Sequence, residues 1–353
     1  KKDTQDGFVD DLPYAKKVAK FLDVDLNVVS VGPDIINSLE KMIYHLDEPQ
    51  GDPASLNVLL ISQLAKEQGM KVLLSGAGGD DIFTGYRRHY AITQERYWKW
   101  LPKAMRLGLQ SLSRQLSQQY VFTRRLSKAF KYAGLDGNER LASYFYWLEP
   151  EWLKKILSHE ILEKLSSFNP AQPLLSTLGN LNDETSILDK MLYLEGKHFL
   201  ADHNLNYTDK MGMAAGVEIR VPLLDLDLVE FAANLPDHYK QRGHEGKWIF
   251  KKAMEGVLPN DVIYRPKTGF GAPLRYWLKN ELKELVGDML STANLKKRGL
   301  FNPMGVQELI SQDRQGIVDA AYPIFAILCV EMWCQIFMDR VGLGSMHKVG
   351  ALF

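Results

Sequence analysis

Ser75-Gly76-Ala77-Gly78-Gly79-Asp80-Asp81-Ile82-Phe83-Thr84-Gly85-Tyr86 follows at once on Lys71 to Ser75, a short apolar run of the kind buried parallel strands show. Glycines in such a turn let the backbone approach a ligand, and its exposed N–H groups can hold an anion. Two adjacent acids just beyond could hold Mg²⁺ against phosphate oxygens. The turn is not a Walker loop, since no Gly-Lys-Ser/Thr follows. Nor is it a full dinucleotide fingerprint, because Asp81 stands where a third glycine is needed. A plain glycine turn with solvated acids is the competing interpretation.

Two further clusters carry charge in a shaped context. In Asp209 to Asp225, Glu218 and Arg220 alternate with Val217, Ile219 and Val221, as if charges entered a packed site. Burial would require them to be paired, so a structural ion pair is the alternative. In Tyr264 to Pro273, prolines and glycines surround Lys267 and present one cation, for phosphate or simply for solvent. His198 and His203, five apart, lack zincin spacing and are expected to be structural.

The elements that must position these groups divide the chain. Residues 1–90 read as an α/β part: helices at Pro13–Leu22, Ile35–Leu46 and Ser55–Gln68, and strands at Leu26–Val31 and Lys71–Ser75. Beyond Tyr90 no strand is expected. A helical insertion over 91–184 leads into a helical body over 185–353, with helices at 185–215, 226–235, 246–256, 275–291, 304–312 and 322–340. Asn169 to Pro173 reads as a loop. Residues 96–135 hold nine Lys/Arg and no acid. That is either a solvated face balanced by acids elsewhere or a surface for phosphate or a partner.

Composition narrows the function classes. The 353 residues carry 43 Lys+Arg and 43 Asp+Glu, a balance that argues against a dedicated nucleic-acid binder. The 46% hydrophobic and 24% charged fractions are those of a globular protein. Cys329 and Cys334 are expected to be reduced and buried, which points to a cytoplasmic location. Tyr322–Met338 is interrupted by Glu331 and too short for a span, so no membrane partner is expected. The polar start lacks an initiating Met, as a cut within a longer chain would.

In this order the clusters resemble the synthetase domain of the glutamine-dependent asparagine synthetase family. The family's nucleotide loop Ser-Gly-x-Gly-x-Asp-Glu-x-x-x-Gly-Tyr is matched from Ser75 to Tyr86, with Asp81 for Glu. Asp209 through Asp225 matches Asp-Arg-x-x-Met-x-x-x-x-Glu-x-Arg-x-Pro-Phe-Leu-Asp, with Lys210 for Arg and Leu223 for Phe. The Arg-x-Lys-x-Gly-Phe loop is Arg265, Lys267, Gly269 and Phe270. Asp47-Glu48-Pro49 with Asp52-Pro53-Ala54-Ser55, and Gly246-Lys247 opening a helix, also fit.

The resemblance implies a parallel-sheet, adenine nucleotide alpha hydrolase-like part and a large all-α remainder. It implies ATP and Mg²⁺ as cofactors and an acceptor acid activated as an acyl-adenylate. Ammonia, supplied by a glutaminase domain, then attacks the intermediate. By carry-over Lys267, Asp80 and Asp81 are catalytic, Asp80 holds the metal, and Ser75, Gly76 and Gly78 contact the nucleotide. Ala77, Glu218, Arg220 and Lys247 shape the acceptor side or lie behind it. A homodimer is left open.

Two departures qualify this. The family's glutaminase half and its Ser-Gly-Gly-x-Asp-Ser pyrophosphate loop are not found, so residue 1 would fall after the second strand of the sheet and the chain alone would be inactive. Ala77 stands where aspartate-using synthetases carry Glu. A related amidotransferase or cyclase acting on a sugar uronate or β-lactam precursor, and a non-catalytic scaffold, are therefore the competing functions.

Overall fold

Leu39, Met42, Ile43 and Leu46 recur at helical spacing, and all four are buried. They make helix Ile35–Leu46 one wall of the main core, and helix Ala54–Glu67 adds Leu56, Val58 and Leu59. Both pack on helix Asn206–Ala215. The computed structural model describes residues 11–29, 35–116, 120–267, 269 and 272–339.

The centre of that core is helix Ala321–Cys334, continued by the π-helical turn Gln335–Asp339. Ile324, Phe325, Ile327, Leu328 and Cys329 of this helix are buried among Leu274, Trp277, Val286, Leu309 and Ile310. By length and composition the element could cross a membrane, but most of it lies inside the protein. Both cysteines are free and buried, as the sequence predicts, and burial pushes the Cys329 thiol well up. A smaller core gathers Ile92, Leu141, Leu178, Leu188, Met191 and Leu194. The bulk of the described chain is helical.

The sheet corrects the sequence expectation in two ways. Strand β1, Val72–Leu74, pairs in parallel with β2, Glu218–Arg220, in the register Val72–Glu218, Leu73–Ile219 and Leu74–Arg220. So a strand exists beyond Tyr90, and it joins residues 1–90 to the later helical body. Helix Asn206–Ala215 ends at Gly216 with φ +72°, a left-handed cap that turns the chain directly into β2. Second, Leu26–Val29 forms no strand, and Ser30 and Val31 lie outside the described residues. Those four residues instead line an apolar groove of about 430 Å³ with Leu60, Ile61, Leu64 and Leu73. A second sheet, β3 Gln241–Arg242 with β4 Glu245–Gly246, is a short antiparallel hairpin.

The helix expected over 185–215 runs without interruption from Ile187 to Ala215, with a π-helical register over Glu195–Leu205. The 275–291 stretch is split into Leu274–Lys279 and Lys283–Met289. The basic segment 96–135 is balanced in part by acids from outside it. Arg106 pairs with Asp136, Arg114 and Lys131 with Glu149, and Arg124 and Lys128 with Asp319, so five of its nine cations have acids from outside it.

Candidate active site

β1 delivers the glycine turn to the end of the sheet. The Ser75 N–H donates to the Arg220 carbonyl at 2.8 Å, and the Ala77 N–H donates to Ser75 Oγ at 3.2 Å. Gly78 has φ +87° and starts the short helix Gly79–Phe83, and a Cβ there would strike Leu224. Only glycine suits that position. Asp80 and Asp81 occupy the helix's first turn and face different surroundings.

Asp80 is held by two lysines. Lys247 Nζ lies 2.7 Å from Oδ1, and Lys267 Nζ donates to Oδ2 at 2.6 Å. Burial by itself would raise the Asp80 carboxyl, but Lys247 and Lys267 outweigh it and hold the group below the usual range. Burial, together with Lys247, moves the Lys267 ammonium downward, against the pull of Asp80. Lys247 sits at φ +57° at the head of helix Trp248–Ala253, its N–H bonded to the Phe83 carbonyl at 2.8 Å. Gly85 makes room beside it, since a Cβ there would meet Asp80 Oδ1.

Asp81 points inward. Tyr86 Oη approaches both of its oxygens at 3.3 Å, and Asn204 Nδ2 donates to Tyr86 Oη at 3.2 Å. Burial first, then Glu195 and Asp80, push the Asp81 carboxyl up to about 7. Behind it the Arg88 guanidinium pairs through two nitrogens with the fully buried Glu195. It lies 4.5 Å from the ring centroids of both Tyr86 and Phe199. His89 Nε2 is 3.2 Å from the same carboxylate. His203, stacked on Phe199 at 4.8 Å, lies 3.0 Å from Asn204 Oδ1 and 3.5 Å from Asp52. Burial raises the Asp52 carboxyl, with His203 opposing. His198 meets Thr177 Oγ1 at 2.9 Å.

Among the described residues no three His, Cys, Asp or Glu side chains gather as a metal site. Asp80 still suits one cation contact. Its Oδ1 is buried and, despite the nearby ammonium, has no aligned hydrogen bond. A hard cation that takes its remaining ligands from phosphate and water fits one such carboxylate.

The structure thus gathers Ser75, Gly76, Ala77, Gly78, Asp80, Asp81, Lys247 and Lys267. Thr268, Phe270 and Gly271 of the lysine loop lie outside the described residues. Glu218 and Arg220 form the ion pair that the sequence offered as the alternative, though not in a packed site. They pair with each other at 2.9 Å on the exposed face of β2, while Ile219 takes the inner face. Only the Arg220 carbonyl reaches the turn. Sequence reasoning missed Arg88, Glu195 and Asn204. Asn204 lies inside a π-helical stretch, Glu195–Leu205, that leaves no local signature.

The profile of the asparagine synthase family matches residues 4–335. The chain belongs to the asparagine synthase family. Among its curated relatives are asparagine synthetase [glutamine-hydrolyzing] 1 of Bacillus subtilis, 25% identical over 95% of this chain and 51% of that protein. A putative asparagine synthetase [glutamine-hydrolyzing] of Mycobacterium tuberculosis H37Rv is 26% identical over 92% of this chain and 47% of that one. Amidase chyE of Penicillium rubens is 23% identical over 87% of the chain and 48% of its own length. The chain spans about half the length of the asparagine synthase family members it matches.

Proposed function

We propose that this chain is the nucleotide-binding and synthetase part of an ATP-dependent amide-forming ligase. The observation that carries the proposal is the pair of lysines, Lys247 and Lys267, held on Asp80 at the end of a glycine turn. Family membership supports ATP use. On this reading β1 and β2 belong to a parallel sheet of the adenine nucleotide alpha hydrolase-like kind. Residues 1–90 and 185–353 complete the site, and 91–184 is an insertion.

Each group then has a role. Ser75, Gly76 and Gly78 give the nucleotide its backbone cradle. An acceptor carboxylate oxygen bonds to the α-phosphorus, the bond to the β-phosphate oxygen breaks, and pyrophosphate leaves. Lys267 and Lys247 stabilise the charge that accumulates on the phosphates, at fixed positions prepared before the reaction. Magnesium, when bound, would be held by Asp80 and would add positive charge at the phosphate oxygens. Ammonia attacks the acyl carbon, AMP departs, and the nitrogen sheds a proton. Asp81, buried against Tyr86, would support the turn from within rather than touch the substrates.

Ala77 favours a second version of the same chemistry, in which the acceptor is an acid other than aspartate, because a methyl group can neither accept a proton nor pair with an ammonium. The test incubates the full-length protein with ATP, Mg²⁺, ammonia and a panel of amino and uronic acids. AMP and pyrophosphate released in step with an amide are expected for one acid. ATP binding without AMP for any acid would instead support a non-catalytic scaffold.

A further inference from the structure

Helices Lys103–Arg114 and Val121–Phe130 pack on each other with their polar faces inward. The side chains they bury are Arg106, Ser113, Arg124 and Ser127. The inward cations are satisfied. Arg106 donates to the Leu101 and Ala133 carbonyls and pairs with Asp136, and Arg124 shares Asp319 with Lys128. Several apolar residues face out instead, with Leu112 63% and Phe122 74% exposed and Met105 and Leu126 on the same helices also exposed, while Leu109, Val121 and Phe130 are half-buried. Trp100, 75% exposed, and Tyr120 flank them. No residue from 96 to 135 enters either hydrophobic core of the described structure.

The charge on this hairpin has one sign. Lys99, Lys103 and Arg125 have no acid at ion-pair distance among the described residues, and the segment itself contains none. Asp136, which pairs with Arg106, is also influenced weakly by Lys99 and Lys103. Exposed Leu, Phe and Trp side by side with uncompensated Lys and Arg is the composition of a helix that lies in a bilayer interface. A free helix of that type turns its polar face to water. Here the protein body takes the place of the water.

We propose that the hairpin is a peripheral docking face for an anionic membrane surface. Met105, Leu112, Phe122 and Leu126 would enter the headgroup boundary, and Lys99, Lys103 and Arg125 would meet lipid phosphates. The expectation of no membrane partner came from the missing span. A helix lying in the interface needs no span-length apolar run, and Lys103–Arg114 has only 12 residues. The proposal does not depend on the catalytic reading of the site.

Flotation of the full-length protein with phosphatidylcholine vesicles, with and without about 30% phosphatidylglycerol, tests it. Binding to the anionic vesicles alone is expected. L112E/F122E replaces residues outside both cores, so it should keep the wild-type circular dichroism and melting curve while losing vesicle binding at least about tenfold. K99E and R125E should each cost about fivefold. No binding by the wild type, equal binding to uncharged vesicles, or unchanged binding by L112E/F122E would each overturn the proposal. So would light scattering that shows a wild-type dimer turned to monomer by L112E/F122E, which would assign the face to a second copy.

Discussion

Lys267 and Asp80 stand 187 residues apart in sequence and meet at 2.6 Å, while Lys247 takes the other oxygen of the same carboxylate. Two cations on one anion leave a unit of positive charge at the end of the sheet. A phosphate chain would complete that balance.

Lys267→Ala in the full-length enzyme is expected to cut pyrophosphate release by at least about a hundredfold, roughly 3 kcal/mol of transition-state stabilisation. Hydrolysis of glutamine should change little. Lys247→Ala should act in the same direction, and the double variant should show less than the sum, because both lysines share Asp80. Near-normal pyrophosphate release by Lys267→Ala would reduce the loop to a structural element.

Glu195→Gln should be severe for stability. It leaves the Arg88 guanidinium enclosed by Tyr86, Phe145 and Phe199 without its counter-charge. A loss of about 3–5 kcal/mol is expected, read as a shift of the urea midpoint. A shift below about 1 kcal/mol would mean that solvent or a neighbour replaces the carboxylate.

Acid should weaken the fold through Asp319. Burial tends to raise this carboxyl, but Lys128 and Arg275 overcome it and hold the group far below its ordinary range. Its stabilisation is therefore complete above the unfolded value of about 3.9 and is lost as pH falls below it. Asp319→Asn should already be weakened at neutral pH by about 3 kcal/mol or more, since Arg275 loses a bidentate partner. Between neutral pH and about pH 2 it should lose less further stability than the wild type does. Parallel urea titrations of both proteins would show curves that converge on acidification, and curves that stay parallel would exclude Asp319 as a contributor.

Free aspartate is expected to be a poor acceptor because of Ala77. A pyrophosphate-release screen with the full-length protein decides this, and efficient turnover of aspartate would show that another group handles its ammonium.

What was legible in the sequence were features whose cause is local. Gly78 needs a left-handed backbone, Lys267 sits among prolines and glycines, and Ile35–Leu46 shows its buried face through spacing alone. β2 leaves a faint trace, the alternation of Val217, Ile219 and Val221 with Glu218 and Arg220, but only three residues pair and the same alternation also fits charges entering a packed site. The pairing of Arg88 with Glu195 spans 107 positions, a separation that no local pattern marks. The outward apolar residues on Lys103–Arg114 and Val121–Phe130 look in sequence like those of any core-facing helix. Only the packing shows that the polar sides turned inward.

The parallel pairing of Val72 with Glu218 also sets an order of events during synthesis. A parallel strand pair cannot close until its distant partner exists, and such non-local contacts form late. At about 5–20 residues per second, roughly 10–40 s separate the emergence of the glycine turn from that of Lys267. For roughly the first 7–30 s of that interval β1 waits without β2. A nascent chain stalled before residue 218 would therefore carry the turn but no site. Its exposed strand would be a target for holdase chaperones rather than for nucleotide.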